Sequence, residues 1–121
     1  VASATLLAGC SGGDATTETE SFDGPVVEVG RDGRNVFSPG TNEPLRVEVG
    51  TRVRWAWRSA NHNVAVREQP ADANWEGEPE IHHSDHTYEY TFEVPGQYHY
   101  VCEPHVGMGM VGDVVVESTE E

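Results

Sequence analysis

The most informative stretch of the chain is YVCEPHVGMGMVG, residues 100–112. It holds one of the two cysteines, both methionines and one of the six histidines. Thiolate, imidazole and thioether groups are soft or borderline ligands, and such ligands select copper, zinc or iron–sulfur over magnesium or calcium. Cys102 and His105 are three residues apart on one turn, which Pro104 stiffens. A closed site needs about four ligands, so the stretch predicts a soft-metal site completed by a second histidine from elsewhere.

The second histidine has five candidates outside this stretch: His62, His82, His83, His86 and His99. We favour His62 because it begins the strand-like run HNVAV, while Cys102 ends another, and two strand ends can meet at one pole of a sheet structure. His99 lies three residues before Cys102 and therefore points to the opposite face of the same strand. The other three belong to HHSDH, which we interpret as surface decoration rather than an adventitious metal site.

The identity of the metal follows from the donor set. Two histidines, one cysteine and a distant methionine are typical of blue-copper electron-transfer sites. Zinc is the rival, but structural zinc sites favour four cysteines, three with one histidine, or two of each, and thioether is not a usual ligand. A buried inert thiol with methionines as core filler is the remaining alternative. A glycine-rich turn is a poor place for such filler, so copper is favoured.

The rest of the chain alternates apolar and polar residues with period two. The clearest runs are Val53–Arg58 and Tyr88–Val94, and Trp55 and Trp57 share one predicted core face. Short runs of this kind between turn signals predict an all-β protein, an antiparallel β-sandwich of seven or eight strands. One segment, Gln69–Asp85, breaks the pattern with prolines, Trp75 and many acids. We expect it to be a long irregular excursion with at most a helical turn.

The charge balance excludes some partners. The net charge is −14, from 21 acids against 7 bases, and every base is arginine. A surface this negative repels nucleic acid and anionic lipid. Because the acids are spread along the whole chain, we interpret them as an adaptation to high salt, where carboxylates hold hydration and salt screens their repulsion.

The first residues are typical of a targeting signal. Leu7-Ala8-Gly9-Cys10 resembles a lipobox, at which prokaryotic lipoproteins are cleaved and lipidated. We therefore expect residues 1–10 to be a signal-peptide remnant, residues 11–24 a disordered polar tether and residues 25–118 the folded domain. Lipidated Cys10 would anchor the exported protein to the outer face of the cell membrane. A disulfide between Cys10 and Cys102 is discounted, since each cysteine has its own explanation.

Two motifs carry a family resemblance. His62-Asn63-Val64 and the stretch Cys102–Gly112, with its Cys-x-Pro-His and Gly-Met-x-Gly pattern, resemble the plastocyanin-type cupredoxins. The acidic balance, the lipobox and Trp75-Glu76-Gly77 narrow the resemblance to halocyanins of halophilic archaea. It spans residues 26–117 and implies a Greek-key sandwich. It also implies one type 1 copper ion with these ligands: His62, Cys102, His105 and Met110.

The resemblance adds details around this site. It selects Met110 over Met108 as the axial ligand and implies that Asn63 ties two loops together by side-chain hydrogen bonds. Pro104 has no N–H to offer the Cys102 sulfur, which we expect to lower the reduction potential. Plastocyanins usually carry a tyrosine directly before the ligand cysteine as a second electron port. Val101 takes that place here, so a second route is doubtful.

The function implied is that of an electron carrier. The resemblance implies a monomer that shuttles single electrons between membrane-associated redox proteins of a respiratory or other electron-transport chain. Four protein ligands leave no open position for a substrate, so we do not expect an enzyme. Val106 and Met108 should form an exposed apolar patch around His105, through which electrons pass. The alternatives are an exported copper-binding or delivery protein, the electron-entry domain of a copper oxidase and an adhesion module without metal.

Overall fold

The alternating runs become nine strands in the computed structural model, which describes residues 22–118. In chain order they are β1 (Val26–Val29), β2 (Phe37–Ser38), β3 (Leu45–Glu48), β4 (Thr51–Trp57), β5 (His62–Glu68), β6 (Glu78–His82), β7 (Thr87–Phe92), β8 (Gly96–Val101) and β9 (Val111–Glu117). Two 3₁₀ segments, Arg31–Gly33 and Glu103–Met108, follow β1 and β8. Across residues 22–118 no helix is long and apolar enough to span a membrane.

The strands form two sheets that enclose one core. One sheet has the order β2-β1-β4-β7, and the other has the order β3-β9-β8-β5-β6. The predicted all-β sandwich is confirmed. The predicted strand count of seven or eight is wrong for the described residues, because the two-residue strand β2 and the edge strand β6 were not recognised in the sequence.

The sheets are mixed rather than purely antiparallel, which corrects the prediction. β1 pairs with β4 and β3 pairs with β9 in parallel, while the other pairs are antiparallel. The chain crosses between sheets after β2, β3, β4, β6 and β7, so many paired strands are distant in sequence. The two strands of each parallel pair are not joined by a hairpin that would fix their relative direction. Period-two alternation determines which face a strand buries, not the direction of its neighbour.

The core is aromatic. Trp55 and Trp57 are buried on one face of β4, as predicted, and Trp75 joins them from the excursion. The rings of Trp55 and Trp75 lie 5.4 Å apart between centroids, and the indole N–H of Trp55 donates to the hydroxyl of Tyr100 at 3.2 Å. Large buried rings of this kind supply much of a small domain's apolar burial.

The acidic excursion is less irregular than predicted. The Gln69 side chain accepts from the backbone N–H of Trp75 at 2.9 Å and donates to its carbonyl at 3.2 Å, which fixes the indole in the core. Strand β6 then pairs with β5 as an edge strand. An edge strand tolerates Pro79 and exposed charges because one side of it makes no ladder bonds, and for this reason the alternation that marks a buried strand is absent.

Candidate metal centre

Three of the predicted ligands converge at one end of the sandwich. His62 begins β5, Cys102 follows the end of the neighbouring strand β8, and His105 lies in the 3₁₀ segment that comes next. The Cys102 sulfur is 3.5 Å from Nδ1 of His62 and 3.4 Å from Nδ1 of His105. The two imidazole centroids are 4.9 Å apart. Cys102 is a fully buried free thiol, and His62 is also buried.

These separations fit a shared metal ion. Bonds of about 2.0–2.3 Å from a first-row ion to nitrogen and sulfur place such donors about 3.5 Å apart at near-tetrahedral angles. The three donor atoms lie within 4.8 Å of one another. A thiolate with two imidazoles suits copper or zinc and does not suit magnesium or calcium.

The two methionines of the loop have opposite environments. Met110 is fully buried, whereas the Met108 side chain is 68% exposed. Met110 is bound to both loop ligands through its backbone: its carbonyl accepts from Cys102 N–H at 3.0 Å, and its N–H donates to the His105 carbonyl at 3.2 Å. Gly109, with φ 88°, provides the left-handed turn between them. Only Met110 is therefore placed to offer a thioether on the inner side of the loop.

The tautomer of His62 is set by Ser59, a residue that the sequence motifs did not indicate. The Ser59 hydroxyl donates its single hydrogen to the Gly30 carbonyl at 2.8 Å, and its oxygen lies 2.9 Å from Nε2 of His62. It must therefore accept from an Nε2–H group, which leaves the Nδ1 lone pair facing the Cys102 sulfur. Gly30 is required because a Cβ there would lie 2.4 Å from Nε2 of His62 and 2.1 Å from the Ser59 oxygen.

Asn63 joins three segments around the site. Its side-chain oxygen accepts from the backbone N–H of Glu103 at 2.8 Å. Its amide donates to the carbonyl of Pro79 and to the Glu103 carboxylate, each at 3.0 Å. Asn63 is fully buried, although its partner residues Pro79 and Glu103 are exposed. These bonds hold β5, β6 and the ligand loop in one arrangement.

Burial sets the protonation of the metal-free site. It lowers the pKa of His62 below 6.5, and the neighbouring His105 lowers it further. Burial also raises the pKa of the Cys102 thiol, against the effect of backbone hydrogen bonds from Asn63 and His105, which favour the thiolate. The metal-free centre therefore holds neutral His62 and a protonated thiol, and a metal ion must displace the thiol proton.

Pro104 lies in the loop between the predicted ligands Cys102 and His105. Pro104 offers no N–H to the sulfur, but the backbone groups of Asn63 and His105 lower the pKa of the Cys102 thiol and so favour the thiolate. The missing N–H of Pro104 is therefore not the only backbone influence on the charge of the sulfur. The effect of Pro104 on the reduction potential stays a prediction.

The surface around His105 is apolar and exposed. Val106 is 42% and Met108 68% exposed, beside a half-buried His105. The Asn35 amide donates to the Met108 sulfur at 3.1 Å, which restrains that side chain. The predicted exposure of the patch, defined here as His105, Val106 and Met108, is confirmed. Tyr100 is fully buried, so it offers no exposed aromatic ring beside the site.

The other histidines stay outside this centre. Nδ1 of His99 is 2.7 Å from a carboxylate oxygen of Asp113, on the face away from Cys102 as predicted. His83 is exposed. His82 and His86 are half-buried and stack with ring centroids 3.4 Å apart. Cys10 lies outside the described residues, as do the lipobox and nearly all of the expected tether.

The fold and the site define a class: β-sandwich proteins with one metal centre built from soft ligands at a pole of the sandwich. The sequence matches the family described as "Copper binding proteins, plastocyanin/azurin family" over residues 26–117. The chain belongs to this family. Its members bind one copper ion and are electron carriers rather than enzymes.

Individual relatives agree with this assignment. The chain is 37% identical over 107 residues to halocyanin of Natronomonas pharaonis, an alignment that covers 87% of this chain and 63% of the relative. It is 36% identical over 91 residues to plastocyanin A/B of Petroselinum crispum, covering 70% of this chain and 91% of the relative. An oxidised amicyanin mutant superimposes with a TM-score of 0.63 at 30% identity, covering 82% and 88% of the two chains. The chain thus spans slightly less than two thirds of the halocyanin.

Proposed function

We propose that the protein is a type 1 blue-copper electron carrier. The observation that carries the proposal is the buried triangle of Cys102 Sγ with two imidazole Nδ1 atoms at 3.4 and 3.5 Å. We assign His62, Cys102, His105 and Met110 as the residues that would hold the copper ion. Membership of the copper-binding family supports this assignment.

The chain's contribution is to fix the ligands before the metal arrives. Copper supplies the one-electron chemistry by alternating between Cu(I) and Cu(II). Ser59 holds the His62 ring, and Asn63 holds the loop that carries Cys102 and His105. Ligands fixed by such contacts move little when the electron arrives, so little reorganisation opposes the transfer.

The route for electrons is the patch of His105, Val106 and Met108. His105 is less buried than His62 and Cys102, and its two apolar neighbours are exposed in an otherwise acidic chain. An apolar surface of this kind suits brief contact with a redox partner, because it is desolvated easily and released quickly.

The cellular setting is part of the proposal. Lipidated Cys10 would hold an exported, monomeric protein at the outer face of the membrane. The partners would be redox proteins of a respiratory or other electron-transport chain. The acid-rich composition supports a high-salt environment. Lipidation is tested by mass spectrometry of Cys10 in protein isolated from membranes.

Copper delivery is the competing function, and it requires an ion that leaves readily. Cyclic voltammetry of the copper-loaded protein separates the two functions when a Cu(I) chelator in the solution detects any copper that is released. An electron carrier gives a reversible one-electron wave, with no copper lost to the chelator over many cycles. Transfer of copper to the chelator on each reduction would favour delivery instead.

A further inference from the structure

A second cluster of ligating side chains lies beside the metal centre. It consists of Glu78, His82 and His86, and one donor atom from each lies within 4.8 Å of the others. Nε2 of His86 is 2.9 Å and Nε2 of His82 is 3.5 Å from the same carboxylate oxygen of Glu78. We propose that this Glu78–His82–His86 cluster is a second metal site, which binds a divalent first-row transition ion of the zinc type.

The donor chemistry and spacing fit such an ion. Two imidazoles and a carboxylate are ligands that zinc accepts at about 2.0–2.2 Å, which places donors about 3.3 Å apart at tetrahedral angles. The two distances to the Glu78 oxygen lie on either side of that value. The imidazoles are stacked with an interplanar angle of 7°, so their lone pairs converge only after the rings rotate apart. Both side chains are about a quarter exposed, which leaves room for that rotation.

One ring nitrogen of the cluster, Nε2 of His82, is buried and has no hydrogen-bond partner among residues 22–118. Leaving a buried polar atom unsatisfied is destabilising, and native structures rarely tolerate it without a reason. A carboxylate oxygen of the exposed Glu80 lies 3.9 Å away, too far for a hydrogen bond, yet its charge attracts a cation. A metal ion between His82 and Glu78 would satisfy this nitrogen.

The backbone around the cluster is fixed. The His82 carbonyl accepts from Asn61 N–H at 3.1 Å, and the His86 carbonyl accepts from Trp57 N–H at 2.9 Å. The buried Trp57 ring meets both imidazoles edge-on, with centroids 5.9 Å and 4.8 Å away. The two histidines therefore start from held positions, and binding requires only side-chain rotation.

The cluster is next to the first centre but separate from it. His82 pairs with His62 across β5 and β6, and the Trp57 indole N–H donates to the His62 carbonyl at 2.8 Å. None of the three cluster residues belongs to the group His62, Cys102 and His105. The two groups can therefore be filled and counted independently.

The test is a zinc titration of the reduced, copper-loaded protein. Cu(I) is diamagnetic, so calorimetry gives the zinc stoichiometry and NMR identifies the groups affected. We expect one zinc ion to bind, with shifts in the imidazole signals of His82 and His86 and in the indole N–H of Trp57. His86→Gln and His82→Gln should each weaken this binding by at least about tenfold. The matched control His83→Gln removes an exposed histidine of the same segment and should bind zinc as the wild type does.

Two results would overturn the proposal. One is that no zinc binds at micromolar concentration to folded wild-type protein. The other is that zinc binds equally well to His86→Gln and His82→Gln, which would place it on surface carboxylates. Folding of each variant is verified from its NMR spectrum. If copper failed to load, two zinc ions instead of one would bind, and loss of one of them in His86→Gln would still report on the cluster.

Discussion

At the scale of the residue, the orientation of His62 explains how the centre is prepared for metal. Its two ring nitrogens face different partners: Nε2 meets the Ser59 hydroxyl, and Nδ1 meets the Cys102 sulfur. Since the Ser59 hydroxyl donates its hydrogen to the Gly30 carbonyl, the ring proton of His62 must be on Nε2. A residue that never touches the metal thus decides which nitrogen can bind it.

Removing this hydroxyl should weaken copper binding. Ser59→Ala leaves Nε2 of His62 without its acceptor, so both tautomer and ring orientation become free. We expect Cu(I) affinity to fall by about tenfold, measured by competition with a chromophoric chelator. The control Ser84→Ala removes an exposed hydroxyl and should keep the wild-type affinity. Equal affinities in all three proteins would show that Ser59 does not position the ligand.

The buried imidazole should also make metal-free stability depend on pH. The folded-state pKa of His62 is lowered from 6.5, so between those two values the unfolded chain binds more protons than the folded one. The contribution of His62 to the free energy of unfolding is therefore complete above pH 6.5 and is lost as the pH falls below it. Urea denaturation of metal-free protein from pH 8 to pH 5 measures this loss.

Two variants test whether His62 causes the loss of stability at low pH. We expect His62→Gln to lose less stability than the wild type between pH 6.5 and pH 5, because it has no imidazole to protonate. His83→Gln, which changes an exposed histidine, should follow the wild type. If His62→Gln and the wild type lost stability in parallel, burial of His62 would not be the cause.

At the scale of the element, the site depends on how β5, β6 and the ligand loop are joined. Asn63 makes that joint with hydrogen bonds to the Glu103 N–H, the Glu103 carboxylate and the Pro79 carbonyl. The amide itself is buried, so its removal takes all three of these bonds away from the inner side of the joint.

Asn63→Ala should therefore destabilise the protein. It leaves the Glu103 N–H and the Pro79 carbonyl without this partner, and we expect the free energy of unfolding to fall by about 1–3 kcal/mol. Denaturant titration of the metal-free form measures this change, and Asn42→Ala, at an exposed asparagine, should change it by less than about 0.5 kcal/mol. Similar values for the two variants would mean that Asn63 does not join these elements.

Site and core residues can be predicted from the sequence where a single element or turn contains the whole pattern. Cys102 and His105 are found easily because both lie on one turn, where a short motif fixes their spacing. Trp55 and Trp57 are found by alternation along β4. The role of Ser59 is not found in this way, because its partner Gly30 is 29 residues away and the two meet only when β1 pairs with β4.

Strand direction and edge strands are the other part that the sequence did not predict. The parallel pair of β3 with β9 joins residues near 46 and 115, and no local turn signals such a pairing. Strand β6 carries Pro79 and the exposed Glu80, which an edge position permits but a sequence pattern does not reveal. The sequence predicted the sandwich from local burial and missed what depends on long-range contact.

At the scale of the whole molecule, the net negative charge and the apolar patch around His105 together govern how two copies of the protein meet. The net charge of −14 repels a second copy at low salt, while the apolar surface of Val106 and Met108 gives the two copies a place to meet. Electron self-exchange between two copies of the protein therefore tests the patch without a known partner.

Met108→Glu should slow this exchange. Two patches that meet would then oppose two carboxylates, and like-charge contact across an interface costs several kcal/mol, so we expect at least about a tenfold slower rate at low salt. NMR line broadening of mixed Cu(I) and Cu(II) protein gives the rate. Gln97→Glu adds the same charge at the far end of β8 and should slow it far less. Equal slowing in the two variants would place the contact elsewhere.

The proposed function depends above all on Cys102, whose thiolate would bind copper in a type 1 centre. Optical and EPR spectra of the protein with one equivalent of Cu(II), recorded beside those of Cys102→Ser, test it most directly. We predict an intense blue absorption band with narrow copper hyperfine splitting in the wild type and the loss of both in the variant. A pale wild-type spectrum with the wide splitting of tetragonal nitrogen and oxygen ligands would contradict the claim, because the cysteine would then not be a ligand.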